Sequence, residues 1–588
     1  MTPHSGSSPS PPPGPSLRTW RPRLRASLAA IFAVLSLKRL FTGTTPKQPS
    51  TMTSQDEAAI LARLSETSSL IESIRAITGN PGVSVGVLHH GKPIYAANYG
   101  YRDVATKTPP DSDTIFPVGS LTKAMVATLF AALVEEGKVS FETKLSDLVP
   151  EYNQPSEDLR CKELATEANL IDLLAHRLGI TMGNNFWSQK SQQVLVDKAE
   201  TAKIVGFLQP LVPFRSKFMY SNWGYGLAGE ILEDVARTDL QSLADQVLFK
   251  PLGMNRTTMG DAFGENVAKS YMALSNATPF EIPTTAYVAG KARAGAGACK
   301  STVNNLLRFY GAWMAAAKDQ DASGKTHTPG SPFKHTAVQW TKHSTITDGS
   351  DYGFGWVLAQ LPGKGGLVGV NGYESPELPI IAKGTTPRRL VYHQGSVCGA
   401  LSAVYLLPET ESAVVVLGNG FDLCDTPDWI AQLLLEALLD APERNDYVDL
   451  AKRASANALS HHQPTVDQLA AEQEHDTPVQ PLEQYTGKYF NKAGNFFLEV
   501  AVSSDGTGLV LIPQGFLNTA YNLHHYHHDV FAWDCDRDAE SKEALYPQFA
   551  IGLHRVLFQT DDSGKVVSLN WQIDKAIPEG EVFTKRDP

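Results

Sequence analysis

Residues 116–123, Phe-Pro-Val-Gly-Ser-Leu-Thr-Lys, set a hydroxyl and an amine three positions apart. A serine hydroxyl attacks an acyl carbon only with a base in hydrogen-bond reach and with donors for the oxyanion that forms. A helix predicted over 120–137, ended by Gly137, puts Ser120 and Lys123 on one face. The backbone amides of its first turn would be unpaired and aimed at developing negative charge. The spacing alone is a weak signal. Ser-x-x-Lys arises by chance on the order of once in 200 residues, and a second copy, Ser331 to Lys334, sits in Pro- and Gly-rich loop text.

Two further segments supply partners. Tyr220-Ser221-Asn222 precedes helical text from Gly224 to Ala236, so Tyr220 and Asn222 are expected in a loop ahead of that helix. A phenol beside a lysine ammonium is biased toward phenolate, which would let Tyr220 take the serine proton and return it to the leaving group. Asn222 would orient Lys123 and donate to a substrate carbonyl. His393-Gln394-Gly395-Ser396 ends a predicted strand. Gly395 would let a substrate approach the strand edge, and the Ser396 amide would be a second oxyanion donor beside that of Ser120. Tyr489 to Asn491 and His90-Gly91 repeat these short patterns and read as structural.

The elements that must hold these residues follow from periodicity. Residues 83–90 and 93–101, split by Gly91-Lys92, alternate as a hairpin. Helical text follows at 169–175, 201–208, 224–236, 240–248 and 301–317. Strands return at 390–392, 400–407 and 412–417, and a helix at 429–439. Strands at both ends with helices between predict an α/β fold: one antiparallel sheet flanked by helices, with an inserted all-helical lobe and a cleft between them. Residues 455–480 are polar and read as a linker. From Tyr485 to Phe583 short alternating runs predict a separate small antiparallel barrel.

Taken together, Ser-Leu-Thr-Lys, Tyr-Ser-Asn and His-Gln-Gly, in that order, resemble the serine β-lactamase and penicillin-binding-protein superfamily. The resemblance is to its class C β-lactamase and D-alanyl-D-alanine carboxypeptidase branch, the S12 peptidases. Asp113 to Phe116, Pro251-Leu-Gly-Met254, the run Ala294 to Phe309 and Tyr352 to Trp356 look like that family's structural signatures, over about residues 58–440. The tail from about 482 is similar to the lipocalin-like domain attached to some members. The resemblance implies Ser120 as acylated nucleophile, Lys123 and Tyr220 as the acid/base pair, and Asn222 as a substrate-orienting side chain. His393 stands where many relatives carry lysine in Lys-Thr-Gly, the version suited to a substrate carboxylate. A histidine is only partly charged near neutral pH, so weak or no β-lactamase activity is expected, with an ester or amide as substrate. His176-Arg177-Leu178-Gly179 departs from the usual His-Thr-Ser-Gly-like turn, a change expected to affect packing.

Composition bounds the rest. The formal net charge is -11, yet residues 1–55 carry seven Lys/Arg and no acid, leaving 44 Lys/Arg against 62 Asp/Glu in the body. An acidic body argues against nucleic-acid binding. Five scattered cysteines without a Cys-x-x-Cys pair disfavour a disulfide framework or a zinc site; Cys398, close to the His393 motif, reads as a small buried residue. His524-His525-Tyr526-His527-His528 would place no more than two histidines on one strand face, which disfavours a metal there. No dinucleotide fingerprint or P-loop occurs, so no cofactor is expected. Residues 26–37 form an apolar run behind four arginines. A signal-peptide core, a mitochondrial presequence or an untranslated stretch before Met52 all fit it, and localisation stays open, with the cytoplasm slightly favoured.

The expected domains are therefore a targeting or untranslated segment (1–55), a catalytic domain (56–450), a linker (451–481) and a barrel (482–588). The expected activity is hydrolysis of a small-molecule or peptide acyl substrate through an acyl-serine. An acyltransferase like the lovastatin-type transesterases, or a non-catalytic binding protein with the same fold, are the alternatives.

Overall fold

The computed structural model describes residues 54–150 and 159–586. The basic and apolar segment at the amino terminus lies outside the described residues. Among them, no helix is long and apolar enough to cross a membrane.

One antiparallel sheet gathers strands from the two ends of the catalytic region. In chain order they are β1 (Gly82–His89), β2 (Lys92–Gly100), β3 (Ser344–Thr347), β4 (Ser350–Tyr352), β5 (Val357–Leu361), β6 (Arg388–Val397), β7 (Ala400–Leu407) and β8 (Ser412–Gly418). Their order across the sheet is β2-β1-β8-β7-β6-β5-β4-β3. The central strands are buried along almost their whole length. That explains why β7 and β8 read as nearly continuous Val/Leu/Ala runs rather than strict alternation.

The register assigns the two faces. Gly86 pairs Val415, and a Cβ at Gly86 would lie 2.4 Å from Val303 Cγ1, so helix α3 (Val303–Ser323) packs there. Val83 pairs Gly418 on the opposite face, where Pro427 opens helix α4 (Thr426–Leu438). The helices α1 (Thr122–Glu135) and α2 (Asn222–Ala236) belong to the lobe inserted between β2 and β3. α1 is buried for most of its length, in keeping with its nearly unbroken apolar text. The four described cysteines, Cys299, Cys398, Cys424 and Cys535, are free and buried.

Residues 487–586 close into an eight-stranded antiparallel barrel. Its interior is filled by Tyr489, Phe531, Phe558, Trp571 and Phe583. The stretch expected as a linker carries two helices, Tyr447–Ser460 and His462–Glu472. Pro464 reads as a breaker, but it falls in the first helical turn, where proline is tolerated. The barrel docks on the lobe through Asp574, whose Oδ2 accepts hydrogen bonds from Thr181 Oγ1 and, at 2.8 Å, from the Gly183 amide. Asn185 Nδ2 donates to the Ile573 carbonyl at 2.7 Å, and Phe186 meets Phe496 edge-on.

Candidate active site

Ser120 lies in a 3-10 turn, Gly119–Leu121, that runs into α1 at Thr122. The helix thus begins two residues later than its sequence predicts, because the tighter turn comes first. Residues i and i+3 eclipse in such a turn, and Lys123 Nζ lies 2.8 Å from Ser120 Oγ. The same nitrogen is 2.9 Å from Asn222 Oδ1 and 2.9 Å from the carbonyl of Ala296. Tyr220 OH donates to Ser120 Oγ at 2.9 Å. Asn222 is the first residue of α2 rather than part of the preceding loop; Ser221 caps that helix by accepting from the Gly224 amide.

The expected phenolate is overturned by electrostatics. Lys123 is fully buried, and burial, helped by the nearby Arg293 charge, holds its amine well below the ordinary lysine range. Burial pushes the Tyr220 phenol up, against the weaker pull of the Ser120 hydrogen bond and Arg293. Both directions favour uncharged groups: a free amine and an intact phenol. The hydrogen-bond count agrees. Asn222 Oδ1 and Ala296 O accept only, so they take the two hydrogens of a neutral amine and leave its lone pair for the Ser120 hydroxyl hydrogen.

Arg293 was not singled out by the sequence. It sits at a left-handed φ of 63° just ahead of the Ala294–Gly297 helical turn. Its guanidinium lies over the Trp187 ring, and its Nε and Nη1 have no hydrogen-bond partner. Burial lowers it to about 9, which leaves it charged at neutral pH. Arg293, one of two cations in the small-residue text Lys-Ala-Arg-Ala-Gly, carried no periodic signal.

The third segment meets the first through backbone. A Cβ on Gly119, whose φ is +50°, would lie 2.6 Å from the Ser396 amide nitrogen. A Cβ on Gly395 would lie 2.1 Å from the Val118 carbonyl oxygen. Glycine is required at 395 because the serine turn itself occupies the space against β6 that a substrate was expected to use. The Ser120 and Ser396 amides, the expected oxyanion donors, thereby belong to two backbone segments in direct contact. β5 pairs β6 only as far as Tyr392, so residues 393–397 have no partner strand on that side among the described residues.

His393 is buried and both of its nitrogens are engaged within the chain. Tyr352 OH and His393 Nε2 are 3.0 Å apart, and Nδ1 lies 2.5 Å from the Gln394 carbonyl. The carbonyl accepts only, so Nδ1 carries the hydrogen and Nε2 accepts from Tyr352. Burial above all lowers its pKa to about 3. It is neutral across the physiological range, a stronger departure from lysine than partial charge. His176, which this turn shares with the usual pattern, lies tilted against the Tyr220 ring at 4.4 Å and accepts the Ser221 amide hydrogen at 3.0 Å, so it braces the tyrosine.

The barrel reaches the same place. Tyr546 meets Phe421 edge-on at 5.1 Å, and its phenol, raised by burial, is hydrogen-bonded by the Ser396 side chain. Tyr373, 63% exposed, sits nearby on the Asn371–Glu374 turn. Nothing in the barrel's alternating text marks Tyr546. The repeated motifs stay apart from this site: Lys334 Nζ bonds the Ser331 carbonyl, and Tyr489 lies inside the barrel. The run from His524 to His528 lies on a barrel strand and the turn after it.

Comparisons with known proteins give the family. The Beta-lactamase family profile matches residues 67–437, more than half of the chain, and a profile described as a domain of unknown function (DUF3471) matches 471–585. The unguisins hydrolase ungD of Aspergillus violaceofuscus is 26% identical over 455 residues, covering 72% of this chain and 74% of that protein. Its counterpart in Aspergillus campestris is 24% identical over 442 residues, covering 70% and 73%. Among solved structures, the octameric penicillin-binding protein homologue from Pyrococcus abyssi aligns with a TM-score of 0.50 at 20% identity, over 89% of this chain and 99% of that one, a likeness of fold. By its profile, its antiparallel sheet and its inserted helical lobe, the chain belongs to the Beta-lactamase family and is a serine hydrolase-type enzyme.

Proposed function

We propose that this chain is an S12-type acyl hydrolase that cleaves an ester or amide through an acyl-Ser120 intermediate. The observation that carries the reading is the uncharged triad of hydrogen bonds in which Lys123 Nζ and Tyr220 OH meet Ser120 Oγ at 2.8 and 2.9 Å. The Lys123 lone pair takes the hydroxyl proton as Oγ bonds to the acyl carbon. The carbonyl oxygen becomes an oxyanion facing the Ser120 and Ser396 amides. As the bond to the leaving group breaks, Tyr220 gives it a proton and recovers one from the Lys123 ammonium. Water then attacks the acyl-enzyme by the reverse route, which restores the serine.

Arg293 acts on this cycle from a distance by keeping Lys123 unprotonated. The names of the two Aspergillus relatives, both hydrolases of unguisins, support acyl cleavage over silent binding. His393, neutral and buried, offers no cation to a substrate carboxylate, so a chromogenic cephalosporin should turn over slowly against a reactive ester.

The test is intact-protein mass spectrometry after exposure to a fluorophosphonate, with a nitrophenyl ester assay alongside. One adduct per wild-type chain and none on Ser120→Ala is expected. A wild-type chain that takes no label, or equal labelling of Ser120→Ala, ends this reading. Adding an alcohol or amine acceptor to the ester assay decides whether transfer competes with hydrolysis.

A further inference from the structure

Away from the serine cleft, His462, Cys535 and Glu540 converge where the helix His462–Glu472 crosses the barrel segment that follows Ala532. All three are buried, at 8%, 8% and 6% exposure. One ligand-capable atom from each lies within 4.8 Å of the others. Neither ring nitrogen of His462 has a hydrogen-bond partner, nor does Glu540 Oε1. Buried polar atoms are ordinarily satisfied, and the Cys535 thiol has a 3.5 Å contact to the Gln548 carbonyl, so an unpartnered imidazole beside an unpartnered carboxylate oxygen calls for a partner.

We propose that these residues form a three-ligand site for a divalent, borderline-soft cation of the zinc class. Imidazole nitrogen, thiolate sulfur and carboxylate oxygen are the donors such an ion takes. One thiolate and one carboxylate neutralise a dication, which suits a buried site. His462 Nε2 and Glu540 Oε2 are 3.5 Å apart, near the roughly 3.3 Å edge of a tetrahedron with metal–ligand bonds of about 2 Å. The Cys535 sulfur, within 4.8 Å of the other two ligand atoms, would draw closer on binding.

The surroundings are built to hold the ligands. The Gln548 amide donates to Glu540 Oε2 at 2.8 Å, and His554 Nε2 stands 3.8 Å from Glu540 Oε1. Such outer contacts aim a carboxylate at a metal. A groove of about 690 Å³, lined by His462, Cys535 and Trp533 among others, gives an ion and its fourth, aqueous ligand a way in. The site would fasten the helix to the segment that continues through Ala544 to Tyr546, and so to the wall of the serine cleft.

Cobalt(II) titration of the full-length, metal-stripped protein tests this without relying on activity. A near-ultraviolet thiolate-to-cobalt band saturating at one equivalent is expected, displaced by zinc, with zinc raising the melting temperature. Cys535→Ser, a near-isosteric change, should remove the band, and His462→Ala should weaken cobalt binding by at least about tenfold. A wild-type chain that shows no thiolate band and no zinc-dependent melting shift overturns the proposal, as does a band that survives in Cys535→Ser.

Discussion

Asn222 Oδ1 lies 2.9 Å from Lys123 Nζ and takes one of its two hydrogens. That contact makes Asn222→Asp an electrostatic experiment at almost constant shape. A carboxylate there favours the ammonium and raises the Lys123 pKa. The base works only when unprotonated, so the acid limb of kcat/KM should move to higher pH. Profiles on a fluorogenic ester check this; an unmoved limb would mean that Lys123 is not the base.

Arg293 lowers the same amine from the other direction, through charge of like sign. Arg293→Met removes a repelling cation, so its acid limb should also move up. Arg293→Lys keeps the charge and should leave the limb close to wild type, even if the lost stacking on Trp187 costs stability. If both variants move the limb equally, the residue acts through packing.

For Tyr220→Phe the expected loss depends on what departs. Protonating a poor leaving group is worth about 10²–10⁴-fold in rate, so alkyl esters and amides should suffer most. Nitrophenolate leaves without a proton, and its release should fall far less. Equal losses on both substrates would remove Tyr220 from the proton path.

Much of this site was readable because each motif falls at the edge of an element whose period is clear. Ser120 precedes an apolar helix, Asn222 opens another, and Gly395 lies near the end of a largely buried strand. The misread parts had no local signature. The direction of the Tyr220 shift depends on burial, which only the packed lobe creates. Arg293 and Tyr546 act through space, one from a small-residue loop and the other from a segment more than 400 residues after Ser120. The helix at His462 was hidden by a proline that a first turn tolerates.

Docking of the barrel rests visibly on Asp574, which accepts from Thr181 and Gly183. Asp574→Ala should cost about 2 kcal/mol, the range for hydrogen bonds to a charged acceptor. Denaturant unfolding followed by tryptophan fluorescence measures it. A stability within error of wild type would mean that other contacts carry the interface.

Tyr546→Leu should alter the ranking of acyl substrates through KM, since its phenol touches Ser396 and not Ser120. Labelling by a small fluorophosphonate should stay near the wild-type rate. A parallel collapse of labelling and turnover would show that the change had disrupted the site as a whole.

The close approach of the serine turn to β6 also limits how this enzyme can change. Main chain meets main chain at Gly119 and Gly395, so the floor of the cleft admits no variation by side-chain replacement. Only the rim, where Tyr373 and Tyr546 stand on separate loops, is free to be rewritten. New substrate ranges in descendants of this chain should therefore arise from rim substitutions and loop insertions, while the floor stays invariant in shape.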